Sequence, residues 1–132
     1  MEAPKAKNAE GTRNRRPKTD KTIHLCLEPP DNDITEQPSS CHVFPGDTVT
    51  FKSIKLNFTV GFNSVCGSPF VQPGTAFSGS RSASQGFATG KLEVAKGAAG
   101  KKFKYAVMLI DPTDPKKTYC DCDCPTIIVG EL

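Results

Sequence analysis

The chain has 132 residues, enough for one domain with one hydrophobic core, and a formal net charge of +3 at pH 7. No apolar run is long enough to span a bilayer. No histidine, cysteine and carboxylate come together in a recognisable catalytic motif. These features argue against a membrane-spanning helix and against an enzyme.

The first 22 residues differ in composition from the rest of the chain. They contain no Phe, Tyr, Ile, Leu or Val, and they carry seven basic residues against three acidic ones. Such a segment cannot bury enough apolar surface to offset the entropy cost of ordering it. We therefore expect a disordered basic tail over residues 1–22 and a folded domain over residues 23–132. No aromatic residue lies among the basic ones to stack on bases, so we do not expect nucleic-acid binding.

Alternating apolar residues predict short β-strands in the folded part. Pro45-Gly46-Asp47 has the residues of a turn, and the alternation that follows it resumes at Phe58. A polar loop is expected before Ser40, and the Gly-, Ser- and Pro-rich segment 63–88 is expected to fold back as a lobe with its phenylalanines buried. About seven strands indicate an all-β fold, a single β-sandwich. The predicted strands are Ile23–Leu27, Cys41–Val43, Val49–Phe51, Phe58–Phe62, Leu92–Val94, Phe103–Leu109 and Thr126–Val129.

Three of these segments together resemble a cupredoxin domain, over about Ile23–Val129. Pro45–Phe51 is similar to the family's Gly-Asp-x-Val-x-Phe/Trp strand, and Phe103–Val107 to its penultimate Tyr-x-Tyr/Phe-x-Cys strand. Pro125–Val129 is similar to the closing strand of the family's non-blue relatives. The resemblance implies a single cupredoxin-like Greek-key β-sandwich.

The resemblance also implies that the blue copper centre of the family is absent. That centre needs two imidazoles, a thiolate and an axial thioether. The positions matching the family's first histidine and its cysteine hold Phe58 and Val107. His24 and His42 both lie upstream of these positions, and we expect them to be surface residues. The expectation is no cofactor, with the former ligand space filled by apolar side chains.

A short C-terminal segment carries most of the metal-binding chemistry of the chain. In an extended strand its three cysteines would share one face and its two aspartates the other. Thiolates suit zinc and copper(I), and carboxylates add oxygen ligands. The segment therefore predicts, as one alternative, a soft-metal or thiol redox site at Cys120, Asp121, Cys122, Asp123 and Cys124.

Disulfides are the other interpretation of the six cysteines, because an even number in a chain with a small core suits an oxidising compartment. The resemblance implies a bond between Cys26 and Cys41, since some cupredoxins tie their first strand to the start of the third. Cys66 would then bond to one of the C-terminal cysteines, such as Cys120. We expect a periplasmic or secreted protein whose signal is not part of this sequence, with a cytoplasmic location as the alternative.

These patterns lead to one main expectation about function and two alternatives. The main one is a monomeric, non-catalytic, cupredoxin-like module that is structural or binds a partner protein. The first alternative is soft-metal binding or thiol redox chemistry through the C-terminal cysteines. The second is binding of an anionic surface through Arg13–Arg16 in the tail, which is otherwise a solubilising leader.

Overall fold

The computed structural model describes residues 17–29, 32–81, 86–121 and 125–131. No helix within these ranges is long and apolar enough to cross a membrane, and their helical element is a 3₁₀ turn at Lys96–Ala98. The strands of these ranges are β1 (Asp20–Glu28), β2 (Asp33–Gln37), β3 (Ser40–Val43), β4 (Thr48–Ser53), β5 (Asn57–Phe62), β6 (Ala76–Ser78), β7 (Ser80–Arg81), β8 (Phe87–Ala88), β9 (Leu92–Glu93), β10 (Lys102–Ile110), β11 (Thr118–Asp121) and β12 (Thr126–Val129).

The strands form two mixed sheets that pack face to face. The first sheet has the order β2-β1-β4-β8-β7, with β9 also paired to β4. The second has the order β3-β12-β10-β5-β6, with β11 also paired to β10. β1 runs parallel to β4, and β3 runs parallel to β12. The all-β sandwich expected from the alternating sequence is therefore confirmed.

The hydrophobic core lies between the two sheets and is built from the apolar members of the alternating strands. Along β10, the buried residues are Phe103, Tyr105, Val107 and Leu109, and exposed residues lie between them. β4 and β5 show the same pattern from Val49 to Phe62. Successive side chains of a strand point to opposite faces, so one face of each strand turns to the core and the other to water.

The phenylalanines of the Gly-, Ser- and Pro-rich segment close one side of this core, as predicted. Phe70, Phe77 and Phe87 are all buried. The Phe70 ring meets the Phe77 ring edge-on at 5.5 Å between centroids, and it meets Phe62 in the same way at 5.8 Å. Edge-to-face contacts are an arrangement that aromatic rings prefer, and all three of these phenylalanines are part of the core.

The Pro45-Gly46-Asp47 turn leads from β3 into β4, and its hydrogen bonds hold the start of β1 beside the start of β4. The fully buried Asp47 carboxylate accepts hydrogen bonds from the backbone N–H groups of Thr19 and Phe44, each at 3.0 Å. The Thr48 N–H donates to the Thr19 carbonyl, also at 3.0 Å. These bonds hold the residue before β1 beside the turn, which sets the parallel pairing of β1 with β4.

The first strand begins three residues earlier than the sequence predicts. Asp20, Lys21 and Thr22 were expected in the tail, but they pair with the first residues of β4. A parallel ladder is made by backbone groups and does not need apolar side chains. Asp20 adds two side-chain contacts, with the Thr48 hydroxyl and with the Lys91 ammonium at 3.0 Å. Residues 1–16 of the expected tail lie outside the described residues.

A second difference is β2, which lies where the sequence predicts a polar loop. Asp33–Gln37 pairs antiparallel with β1, with Ile34 opposite Leu27 and Glu36 opposite Leu25. Only one of its five residues is apolar, so its own composition gives little strand signal. Pairing with a neighbouring strand overrides that weak local preference.

Candidate functional site

The two positions that the cupredoxin resemblance would align with copper ligands lie inside the hydrophobic core. Phe58 on β5 and Val107 on β10 are each 1 % exposed. In the β5–β10 register, Phe58 is opposite Leu109 and Val107 is opposite Val60, so the two side chains are diagonal neighbours on the inner face. Hydrocarbon side chains have no lone pair to give to a metal.

The two histidines lie on the outer faces of the sandwich. His24 is an exposed residue of β1 opposite Gln37, and His42 is an exposed residue of β3 opposite Ile128. They belong to different sheets. The structure therefore does not bring the two imidazoles together.

Cys26 and Cys41, which the cupredoxin resemblance joins by a disulfide, are free thiols in the structure. Cys26 lies on β1 between the buried Leu25 and the half-buried Leu27, so it points to the outer face of the first sheet. Cys41 is buried and faces the interior from the second sheet. A disulfide needs the two Cβ atoms within about 4.5 Å of each other. The Cys26–Cys41 bond stays a prediction, and the fold gives it no support.

Cys66 and Cys120 are also free thiols, and both are exposed. Cys66 lies in a turn that the Asn63 side chain organises by accepting the backbone N–H groups of Val65 at 2.7 Å and Cys66 at 3.3 Å. Cys120 lies on β11, in the second sheet. The expected bond between Cys66 and the C-terminal cysteines is not formed with Cys120 in this structure.

The cysteine- and aspartate-containing segment, residues 120–124, is described by the structure as far as Asp121, and this part alternates as the sequence predicts. On β11, Thr118 and Cys120 are exposed, whereas Tyr119 and Asp121 are half-buried. Cys122, Asp123 and Cys124, the rest of the predicted metal site, lie outside the described residues. Among the residues that are described, no three His, Cys, Asp or Glu side chains are grouped so that they could hold a metal ion.

A second sulfur donor beside Cys120 was missed by the sequence reasoning. Met108 on β10 is the direct antiparallel partner of Cys120. It is 37 % exposed, since it lies on the outer face of β10, between the buried Val107 and Leu109. The alternation of β10 could have indicated an outward-facing methionine, but its neighbour could not be read from the sequence.

The sequence reasoning also missed a polar cluster at the β2 end of the core. Glu36 on β2 is buried and faces inward beside Leu25. Tyr105 is 2 % exposed, and its hydroxyl has no hydrogen-bond partner among the described residues. Burial raises the pKa of Tyr105 far above its ordinary value, and electrostatic interactions with Glu36, Cys41 and Asp121 raise it further. Burial also raises the pKa of the Cys41 thiol.

An apolar groove, here called the Ile54 groove, opens at the end of β1. Its volume is about 450 Å³, and it is lined by residues at the end of β1 and in the β4–β5 connection. Ile54 itself is 68 % exposed. Gly86 packs under this connection, where an added Cβ would lie only 2.6 Å from the Ser53 carbonyl oxygen. The apolar lining residues are Leu25, Leu27, Pro29, Ile54 and Leu56.

Three features therefore bear on function: the buried apolar side chains of Phe58 and Val107, the Ile54 groove, and the exposed thiol of Cys120. No protein-family model and no curated protein matches this chain.

Proposed function

We propose that this chain is a non-catalytic, cupredoxin-like module without a blue copper centre, which acts by binding a partner or as a structural domain. The observation that carries the proposal is the position of Phe58 and Val107. Both are buried in the core on adjacent strands, where the resemblance would require an imidazole and a thiolate. Replacing these groups by hydrocarbon removes the donors on which the chemistry of the family depends.

Titration of the full chain with copper(II) tests the absence of the blue centre. We expect no intense thiolate-to-copper charge-transfer band in the visible spectrum. Thiols outside the core are a source of a misleading signal, so the same titration is done on a Cys66→Ser, Cys120→Ser, Cys122→Ser, Cys124→Ser variant. An intense band in both proteins would contradict the proposal.

The Ile54 groove supports partner binding. A large aliphatic side chain that is two-thirds exposed at the rim of an apolar groove is costly to leave in water, and such surfaces mark binding sites more often than isolated apolar residues do. Its wall also carries Glu28 and Lys55, which can orient a polar group beside an apolar one. We infer that the groove receives an apolar side chain of the partner.

The dye anilinonaphthalene sulfonate probes whether the groove accepts an apolar group. We expect dye fluorescence with the folded protein and a clear loss of it in Ile54→Asp. The matched control is Val65→Asp, because Val65 is 91 % exposed in the Asn63–Gly67 turn and does not line the groove. Equal fluorescence of the two variants would contradict a binding role for the Ile54 groove.

The second candidate function is binding of a soft metal through the C-terminal cysteines. The observation that favours it is the exposed thiol of Cys120 at the end of β11, which a metal ion can approach from solvent. Anaerobic zinc titration of the reduced full chain should show about one equivalent bound, and Cys122→Ser, Cys124→Ser should lose it. Tight zinc binding by this double variant, or binding of neither zinc nor copper(I) by the wild type, would contradict the second candidate.

A further inference from the structure

We propose that Met108 and Cys120 form the two-sulfur core of a copper(I) site on the outer face of the second sheet. The inference rests on the second candidate function and names its metal and an additional ligand. It starts from the β10–β11 register, in which Met108 and Cys120 are directly opposite each other. Directly opposite residues of an antiparallel pair have Cβ atoms about 4.5–5.5 Å apart and point to the same face.

Both side chains are open to solvent on that face. Cys120 is exposed, and Met108 is exposed although the residues on either side of it in β10 are buried. Among the described residues, Ala106 and Gly61 lie further along the same face, and neither has a long side chain. A Cβ added to Gly61 would meet no atom within 4 Å. These described neighbours therefore leave both side chains accessible to an ion from solvent.

The donor types select copper(I). A thiolate and a thioether are both soft ligands, and soft ligands favour copper(I), which tolerates low coordination numbers. Zinc is held by thiolate, imidazole and carboxylate, and a thioether adds little to it. Thr59 on β5 is the neighbour of Met108 on its other side. The Thr59 hydroxyl lies 2.8 Å from the Ser78 hydroxyl and is already hydrogen-bonded, so we do not count it as a ligand. Binding would release the Cys120 thiol proton, since the thiolate is the ligand.

The test compares copper(I) affinity of the reduced full chain with that of two variants, using a chromogenic copper(I) chelator as competitor under anaerobic conditions. Met108→Leu keeps nearly the same volume but removes the thioether, and Cys120→Ser removes the thiolate. We expect Met108→Leu to weaken copper(I) binding about tenfold or more, equivalent to about 1.4 kcal/mol, and to leave zinc binding unchanged. Cys66→Ser, which removes an exposed thiol in the turn after β5, should bind copper(I) as the wild type does.

Coordination by the Met108 thioether can be observed directly by NMR of protein with ¹³C-labelled methionine methyl groups. The chain has two methionines, so Met1 is an internal reference for Met108. We expect copper(I) to shift the Met108 methyl signal and to leave that of Met1 in place. If the wild type binds copper(I) but neither Met108→Leu nor the methyl signal responds, the inference is wrong and the metal function of the cysteines stands. If the wild type binds neither copper(I) nor zinc, both are wrong.

Discussion

The carboxylate of Asp47 accepts a hydrogen bond from the backbone N–H of Thr19, a residue 28 positions earlier in the chain. Its second oxygen accepts the N–H of Phe44. One buried side chain thus connects the chain before β1, the end of β3 and the turn into β4. Hydrogen bonds to a charged acceptor are stronger than neutral ones, so this contact holds the two sheets at a common corner.

Replacement of Asp47 by alanine should destabilise the fold strongly. It removes the acceptor of two backbone N–H groups, and each hydrogen bond to a charged group contributes about 1.5–3 kcal/mol. We expect Asp47→Ala to lower the free energy of unfolding by about 3 kcal/mol, and Asp47→Asn, which retains one oxygen, to lower it less. Urea denaturation measures both. Asp20→Ala, at an exposed carboxylate, is the control, and an equally large effect there would contradict the assignment.

Replacement of Tyr105 by phenylalanine should stabilise the fold. A buried hydroxyl without a hydrogen-bond partner costs about 1–3 kcal/mol in desolvation, and phenylalanine fills the same volume without it. We expect the free energy of unfolding to rise by about 1 kcal/mol at pH 7. Tyr119→Phe, at the chain's other and half-buried tyrosine, should have a smaller effect. A loss of stability in Tyr105→Phe would mean that the hydroxyl has a partner after all.

The same residue predicts a dependence of stability on alkaline pH. The pKa of Tyr105 is raised in the folded protein, while an unfolded tyrosine ionises at about pH 10. The ionisation of Tyr105 therefore leaves the free energy of unfolding unchanged below about pH 10. It lowers this free energy as pH rises above about 10, because only the unfolded chain releases the proton. Denaturation curves between pH 9 and about 11 should show a steeper loss for the wild type than for Tyr105→Phe. Parallel curves would contradict the burial of the hydroxyl.

The cysteines should react with an alkylating reagent in the order of their exposure. Cys66 and Cys120 are exposed, Cys26 is half-buried, and Cys41 is buried with its thiol pKa raised by desolvation. We expect fast labelling of the first two and very slow labelling of Cys41 in the native protein near pH 8, close to the ordinary thiol pKa of about 8.5. Mass mapping identifies each labelled site. If Cys26 and Cys41 stay unlabelled after unfolding without reductant, they form the disulfide that the cupredoxin resemblance implies.

Two glycines with almost the same backbone angle should tolerate alanine differently. Gly86 has φ of 75°, and Gly67 has φ of 76°. A Cβ at Gly86 would lie 2.6 Å from the Ser53 carbonyl oxygen, whereas a Cβ at Gly67 would meet nothing within 4 Å. Both variants carry the cost of a positive φ, about 1 kcal/mol. We expect Gly86→Ala to lose at least about 2 kcal/mol more in thermal or urea unfolding, and equal losses would contradict the close packing under the Ile54 groove.

The sequence by itself determined the strands whose faces differ in polarity. In β5 and β10 every second residue is apolar, as are Val49 and Phe51 of β4, and burying one face of such a segment stabilises only an extended conformation. The Pro45-Gly46-Asp47 turn is equally local, because proline and glycine restrict or permit backbone angles on their own. The absence of donor atoms at Phe58 and Val107 also follows from residue type alone.

Only the tertiary structure decided which strands and side chains meet. β2 has one apolar residue and is a strand because β1 lies beside it. Met108 meets Cys120, and Glu36 comes near Tyr105, through strand order and register across residues distant in the sequence. The periodicity of apolar residues indicates which face of a strand is buried. Which strand pairs with it, and in what register, depends on the packing of the whole chain.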